Sequence, residues 1–362
     1  MSWCKHRRGA LFSQNKNPLG RKKGLLVAAI IIIVAIAGIL AGLVSWGVLP
    51  FSTRPQSTSA VNLPPITLTL VALNGTKLVL NQKDIGNLTP LESKGGFKTS
   101  IGSLQEIGNY TGVPVLELLG LVGGMNSSCS LNVTGSDGYS MVYTYNQVQG
   151  ENFTCYSPAT GDEVQPNQPF TMILAYYQNG AGLGSDKGPL RLAIVGPQGL
   201  LTDGHYWIKW VTKLAIIPCV VDWTLVLVGP YPDNMTRTAF ESGANANCHG
   251  ENWTDTNNNV WSGMPLWYLI GWIDDKGENN RMEFNDTLAL KGYTVRVMDS
   301  HGDYVSLSST TVMRNNNIVV ANKLNGAPLP DPYWPLRLVG PGVSSDQMLG
   351  NIVEIQMIMP EG

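Results

Sequence analysis

The chain has 362 residues, enough for two or three domains, and its 43% hydrophobic against 14% charged residues exclude a disordered chain. Seven of its 24 Lys and Arg lie in the first 50 residues, where there is no acid. The remaining 17 face 26 carboxylates, a net −9 that excludes nucleic acid as the main partner, because phosphate neutralisation needs clustered cations on the folded body.

Residues 1–23 form a basic arm that includes Cys4. Residues 24–44 carry no charge, and thirteen of them are Leu, Ile or Val; at 1.5 Å per residue this run spans a bilayer core of roughly 30 Å. We assign a transmembrane helix to residues 24–48. The positive flank predicts a single-pass plasma-membrane topology, with the N-terminus cytoplasmic and the body extracytoplasmic. Nine N-x-S/T sequons, at Asn74, Asn87, Asn109, Asn126, Asn132, Asn152, Asn234, Asn252 and Asn285, all lie in that body and predict glycosylation. Its four cysteines, an even number in an oxidising space, predict two disulfides, Cys129 with Cys155 and Cys219 with Cys248.

Residues 49–64 read as a linker, and after them the chain repeats itself. Ile66-Thr-Leu-Thr-Leu returns 157 residues later as Trp223-Thr-Leu-Val-Leu, and Tyr110-Thr-Gly-Val-Pro returns after 151 as Trp261-Ser-Gly-Met-Pro. Ile173-Leu-Ala returns after 146 as Val319-Val-Ala, and Pro189-Leu-Arg-Leu at the same offset as Pro335-Leu-Arg-Leu. Four matches in one order divide the body into units 65–218 and 219–362. Short β-branched and aromatic runs between Gly, Asn and Asp turns predict strands over 67–73, 141–145, 171–177, 190–195, 223–228, 293–298, 317–321 and 352–359. One short helix per unit is predicted at 113–121 and 264–272, so each unit is α+β, a mixed sheet with small helices.

These repeated motifs, together with Ser136-Asp-Gly-Tyr, Asp299-Ser-His-Gly-Asp-Tyr and Tyr206-Trp-Ile-Lys-Trp-Val, resemble the molybdopterin-binding oxidoreductase domain of sulfite-oxidase-like enzymes, present twice in tandem. The resemblance implies a thiolate on molybdenum and basic residues, with the Lys-Trp segment, on the pterin phosphate. The candidate cofactor residues are then Cys248 (also the candidate metal ligand), His249, Lys209, Arg191 and Arg337. The two requirements are split between the units. The first keeps Lys209-Trp210 but has no Cys over 97–109; the second has Cys248-His249 but reads Leu349-Gly-Asn-Ile at the matching segment. A metal held by one thiolate without a cationic seat for the phosphate loses most of its binding free energy. The expectation is therefore a cell-surface binding or structural module that kept the fold and lost the cofactor, with a surface protein or glycan as partner. The alternative is an outward-facing molybdenum-cofactor oxidoreductase with Cys248 on the metal.

Among other candidates, His205 and His301 sit in turn-like segments and are read as solvated. Asp255-x-Asn257-x-Asn259 lacks the Gly and the Glu of a calcium loop and is read as a hairpin turn between Trp253 and Trp261. The cluster Asp274, Asp275, Glu278 and Glu283 is read as a solvated loop. Arg191 and Arg337 are also expected to support buried carbonyls or carboxylates within their units. A minority of the ten Trp is expected to face a groove between the units, where a sugar or partner could stack.

Overall fold

Thr67-Leu-Thr-Leu-Val and Thr224-Leu-Val-Leu-Val alternate with period two, and each becomes a strand with its leucines inward; Leu68, Leu70, Leu225 and Leu227 are fully buried. These strands belong to a computed structural model of the chain that describes residues 63–275 and 283–360. The basic arm, the membrane segment, Cys4 and Glu278 lie outside the described residues, as does all but the end of the linker. Among the described residues no helix is long and apolar enough to cross a membrane.

The first half contains β1 (Thr67–Val71), β2 (Lys77–Asn81), β3 (Leu91–Lys98), β4 (Leu104–Pro114), α1 (Val115–Gly120), β5 (Cys129–Gly135) and β6 (Ser140–Tyr143). It continues with β7 (Cys155–Tyr156), β8 (Glu163–Val164), β9 (Thr171–Gln178), β10 (Ala181–Gly182), β11 (Arg191–Gly196), β12 (Thr202–Asp203) and β13 (Val211–Pro218). The second half contains β14 (Thr224–Val228), β15 (Asp233–Thr236), α2 (Arg237–Gly243), β16 (Glu251–Thr254), β17 (Val260–Pro265), α3 (Leu266–Gly271) and α4 (Asp286–Lys291). It ends with β18 (Thr294–Asp299), β19 (Tyr304–Ser308), β20 (Val319–Leu324), β21 (Ala327–Pro328), β22 (Arg337–Val339) and β23 (Ile352–Ile358).

The chain is mostly β, with short helices and several mixed sheets. Each half builds two larger sheets, where the sequence suggested one. The first sheet of the first half runs β2-β1-β13-β5-β6, and its counterpart in the second half runs β15-β14-β23-β18-β19. In both, the opening strand of the half pairs in parallel with its closing strand, β1 with β13 and β14 with β23. The other sheets are β10-β9-β11-β3-β12, with β4 bridging β3 and β9, and β16-β17-β20-β21, with β22 on β20. Leu192 and Ile194 of β11, like Val320 and Leu338 of β20 and β22, are fully buried in the separate apolar cores of their halves.

The repeated Thr-Gly-Val-Pro and Ser-Gly-Met-Pro have a backbone explanation. Gly112 and Gly263 each sit at a bulge, where β4 meets β9 and where β17 meets β20. A Cβ on Gly112 would fall on Leu174 O and Ala175 Cα, and one on Gly263 on Val320 O and Ala321 Cα. The prolines that follow, Pro114 and Pro265, close these strands as the N-caps of α1 and α3 rather than sitting in the first helical turn.

The halves are stitched by polar groups. Asn247 Nδ2 donates to Asp137 O at 2.6 Å, the hydroxyls of Tyr139 and Ser242 are 2.9 Å apart, and those of Tyr206 and Thr238 are also 2.9 Å apart. Arg237, 1% exposed, opens α2 and reaches Val142 O in β6. The short connection between the halves is tied to β5 by Cys219 N donating to Ser128 O and Val220 N to Ser130 Oγ.

Candidate functional site

A cavity of about 1050 Å³ forms a cleft between the two halves. Its first-half wall is made by the end of β3 and its turn, the β7–β8 ribbon and the 3-10 turn Gly204–Tyr206 that follows β12. Its second-half wall comes from β15, the end of α2, Cys248 and His249, and the α3 region through Trp272.

Asp203 is the polar centre of the first wall. β12 runs parallel to β3 with Asp203 beside Lys98, and Tyr156 Oη donates to Asp203 Oδ1 at 2.9 Å. Burial raises the Asp203 carboxyl to about 6, against the opposing effects of the Tyr156 hydrogen bond and the Lys98 ammonium, and Glu163 adds to the rise. Lys98 is committed: its Nζ donates to Gly161 O at 2.8 Å and lies 4.3 Å from the Tyr156 ring centroid. His205 was expected to be solvated, but it is sunk into this wall against the Tyr206 ring, 4.0 Å between centroids. Burial pushes its imidazole down to about 3, so it is neutral, and its Nε2 is shielded with no hydrogen-bond partner among the described residues.

On the second wall Cys248 is unbridged. Burial, and then the Asp137 carboxylate, raise its thiol, the reverse of what a thiolate ligand needs. His249 stacks on Tyr268 with centroids 3.8 Å apart, and burial lowers its imidazole. Tyr268 is itself raised by burial and by Cys248. Trp272 Nε1 makes a short hydrogen bond to Asp233 Oδ2.

The other sequence candidates are elsewhere. Lys209 is not on the cleft wall; its Nζ stands 5.8 Å from the Trp210 ring. Arg191, 1% exposed, is ion-paired with Glu106 and lies between Phe97 and Trp207, 5.4 and 5.2 Å from their centroids. This is the carboxylate-supporting role expected for it, and its Nε has no hydrogen-bond partner among the described residues. Arg337 covers Tyr333 and Trp261 at 3.8 and 4.8 Å.

The expected disulfides are absent: Cys129, Cys155, Cys219 and Cys248 are all free. Cys129 opens β5 while Cys155 sits on the separate β7–β8 ribbon, its Sγ donating to Phe153 O at 3.1 Å. Cys219 lies at the first half's edge beside Ser128, whereas Cys248 faces the cleft, so the folding that separates the halves also separates this pair. Of the acidic cluster expected to be solvated, Glu283 is exposed and Asp274 is not. Asp274 is 2% exposed, its Oδ2 accepts from Asn285 N at 2.8 Å, and burial raises it to about 6. Asp255 does form the hairpin turn, with Trp253 opposite Trp261. His301 is exposed, 3.5 Å from Asp299. Seven of the sequon asparagines are exposed, while Asn132 and Asn285 are half-buried with engaged amides: Asn132 accepts from Ser140 Oγ and Asn285 caps α4.

Sequence reasoning passed over Lys98, Tyr156, Asp203 as a carboxylate, Glu163 and Tyr268. They come from segments far apart in the chain, and no local spacing announces them.

The resemblance to molybdopterin oxidoreductases invites a test of fit. The cleft that holds Cys248 carries Asp162, Glu163, Asp203 and Asp233 against Lys98 alone. Among the described residues no group of three His, Cys, Asp or Glu is placed to hold a metal ion. A phosphate-bearing pterin needs the opposite charge, and these residues do not fit it.

No family model and no curated protein matches the chain. Among solved structures it is similar to the sulfane dehydrogenase SoxCD from Paracoccus pantotrophus at 15% identity and a TM-score of 0.35. The match covers 67% of this chain and 58% of the SoxCD chain, so the chain spans less than two thirds of that protein's length.

Proposed function

We propose that the chain is a cell-surface binding module, held at the plasma membrane by residues 24–48, that takes its ligand in the cleft between two oxidoreductase-like units, 65–218 and 219–362, and has lost the molybdopterin cofactor. The observation that carries this reading is the charge around Cys248: four carboxylates and one committed lysine line the cleft. The cationic candidates Arg191 and Arg337 are not on the cleft wall; they lie against Glu106 and against aromatic faces. A concave cleft with aromatic walls and a few convergent polar groups has the composition of a ligand site.

The alternative, an outward-facing molybdenum-cofactor oxidoreductase with Cys248 on the metal, is favoured by one observation: the thiol is unbridged and on the cleft wall. Molybdenum analysis of the full-length protein purified in detergent separates the two readings. It is done alongside binding of maltotriose, spermidine and inorganic phosphate to the wild type and to a cleft-blocking Ser100→Trp variant. The module reading expects no stoichiometric molybdenum and saturable binding of at least one probe that Ser100→Trp weakens. One molybdenum per chain, lost in Cys248→Ser, would overturn it.

A further inference from the structure

A second cavity, of about 210 Å³, lies on the other side of α2 from the cleft: Ala239, Ser242 and Gly243 line the cleft, whereas Arg237 and Glu241 line this pocket. It is smaller than the roughly 300–1,000 Å³ of pockets for drug-sized ligands and has the size of a single ring. Arg237 is paired with Glu241 and Asp222, so the floor carries no net charge, and Lys323 stands exposed at the rim with no ion pair among the described residues. Asn322 sets this pocket apart. The register of β17 on β20 passes from Lys323 to Ala321, which makes Asn322 the extra residue of that bulge, a position that re-aims a side chain. Its counterpart 146 residues earlier, at the same bulge of β4 on β9, is Tyr176, whose ring fills the first core. Asn322 is only 7% exposed, yet its amide lies open to the pocket and makes no hydrogen bond among the described residues. A buried amide without a partner is destabilising where an apolar side chain is not, so the position calls for an incoming group. At the same offset Gly188 gives way to Trp334, which lines the pocket with Trp223. Both tryptophans are half-buried, and neither indole N–H has a partner among the described residues, whereas those of Trp207, Trp210, Trp261, Trp267 and Trp272 all donate.

These groups define what completes them. The Asn322 amide needs a partner that both donates and accepts, the indole N–H groups need acceptors, and the Trp rings need an apolar face of ring size. A hydroxyl both donates and accepts, and the C–H face of a saturated sugar ring covers an indole. A proline ring satisfies the apolar part but brings no N–H for Asn322 Oδ1, and an inorganic ion brings no face for the rings. We infer that this pocket binds one pyranose ring, with its hydroxyls on the Asn322 amide and its C–H face against Trp223 and Trp334. The inference goes beyond the cleft and does not depend on what the cleft binds.

Isothermal titration of the full-length protein, held in a detergent without a sugar headgroup, tests it with glucose as the neutral pyranose, glucuronate as the acidic one and triproline as the contrast. Saturable binding of at least one sugar is expected. Asn322→Leu should weaken it at least tenfold while melting no lower than the wild type, because it removes an unpaired amide. Asn322→Tyr, with the ring that the first half carries there, should fill the space and abolish binding. Ser100→Trp, on the wall of the cleft, should leave it unchanged. Glucuronate binding severalfold tighter than glucose, with that advantage lost in Lys323→Gln, assigns an acidic sugar; equal affinities assign a neutral one. The inference is overturned if neither sugar binds in the millimolar range, if triproline alone binds, or if sugar binding survives both Asn322 substitutions. Sugar binding that Ser100→Trp abolishes and Asn322→Leu spares would sink this pocket and support the cleft instead. Stoichiometric molybdenum lost in Cys248→Ser would sink the module reading and leave a sugar site that depends on Asn322 standing.

Discussion

Removal of the Arg237 side chain should destabilise this fold, and the cost should depend on pH. Its Nε donates to Asp222 at 2.8 Å, its Nη1 to Glu241 at 2.7 Å and its Nη2 to Val142 O, across the junction of the halves, at 3.1 Å. Asp222 is 60% exposed, so that arm contributes no more than about 1 kcal/mol. Glu241 is only 16% exposed, and burial raises its carboxyl even with Arg237 beside it. In Arg237→Met, Glu241 is left buried with only the Coulombic pull of Lys323, and it escapes by taking a proton. The charge penalty is therefore capped by the free energy of protonating an ordinary Glu, about 1.4 kcal/mol per pH unit above its unfolded value near 4.3. This gives about 3–4 kcal/mol at pH 7 and about 1 at pH 5, to which the lost bond to Val142 adds roughly 1. Urea unfolding of the full-length protein, followed by tryptophan fluorescence at both pH values, measures the difference. Arg237→Met with Glu241→Gln should recover most of the pH-dependent part. An equal loss at pH 5 and 7, or no recovery in the double variant, would refute the assignment of the cost to an uncompensated Glu241.

Gly112→Ala and Gly263→Ala should each destabilise by about 1–3 kcal/mol, because the added methyl lands on the neighbouring strand's backbone; a neutral result for either in the same unfolding assay would contradict the close approach. Asp274 has a folded-state pKa raised to about 6 and an Oδ1 with no partner among the described residues. The folded state therefore holds its proton more tightly than the unfolded one, and stability falls as pH rises from about 4 through 6. Asp274→Asn should thus stabilise the protein by up to about 3 kcal/mol at pH 7.5 and have no effect near pH 4, as read by thermal melts across that range. Thiol titration should find Cys219 and Cys248 reactive in the native protein, Cys129 and Cys155 only after denaturation, and all four free in the unreduced chain; a shortfall of two would restore a disulfide.

How much could be read early differs by level. Thr67-Leu-Thr-Leu and its echo at Trp223 carry their strand character in the alternation itself, because side chains of a strand must point to opposite faces. Likewise the Gly of Thr-Gly-Val-Pro and Ser-Gly-Met-Pro marks a place where only a missing Cβ lets two backbones meet. The repeat, the strands and the short helices after Pro114 and Pro265 were accordingly visible in one dimension. The cysteines were not, since parity and compartment say nothing about which sheet each thiol ends on, and Cys129 and Cys155 end on different ones. Nor was the charge of the site: Lys209, Arg191 and Arg337 look like a cationic set in sequence, yet Arg191 is claimed by Glu106, 85 positions away, and Arg337 by aromatic rings. Burial of His205 and Asp274, and the meeting of Lys98, Tyr156 and Asp203 opposite Cys248, depend on distances between segments that no local pattern encodes. Periodicity is a property of neighbours along the chain and was legible; desolvation and charge balance belong to neighbours in space, and only the folded halves decided them.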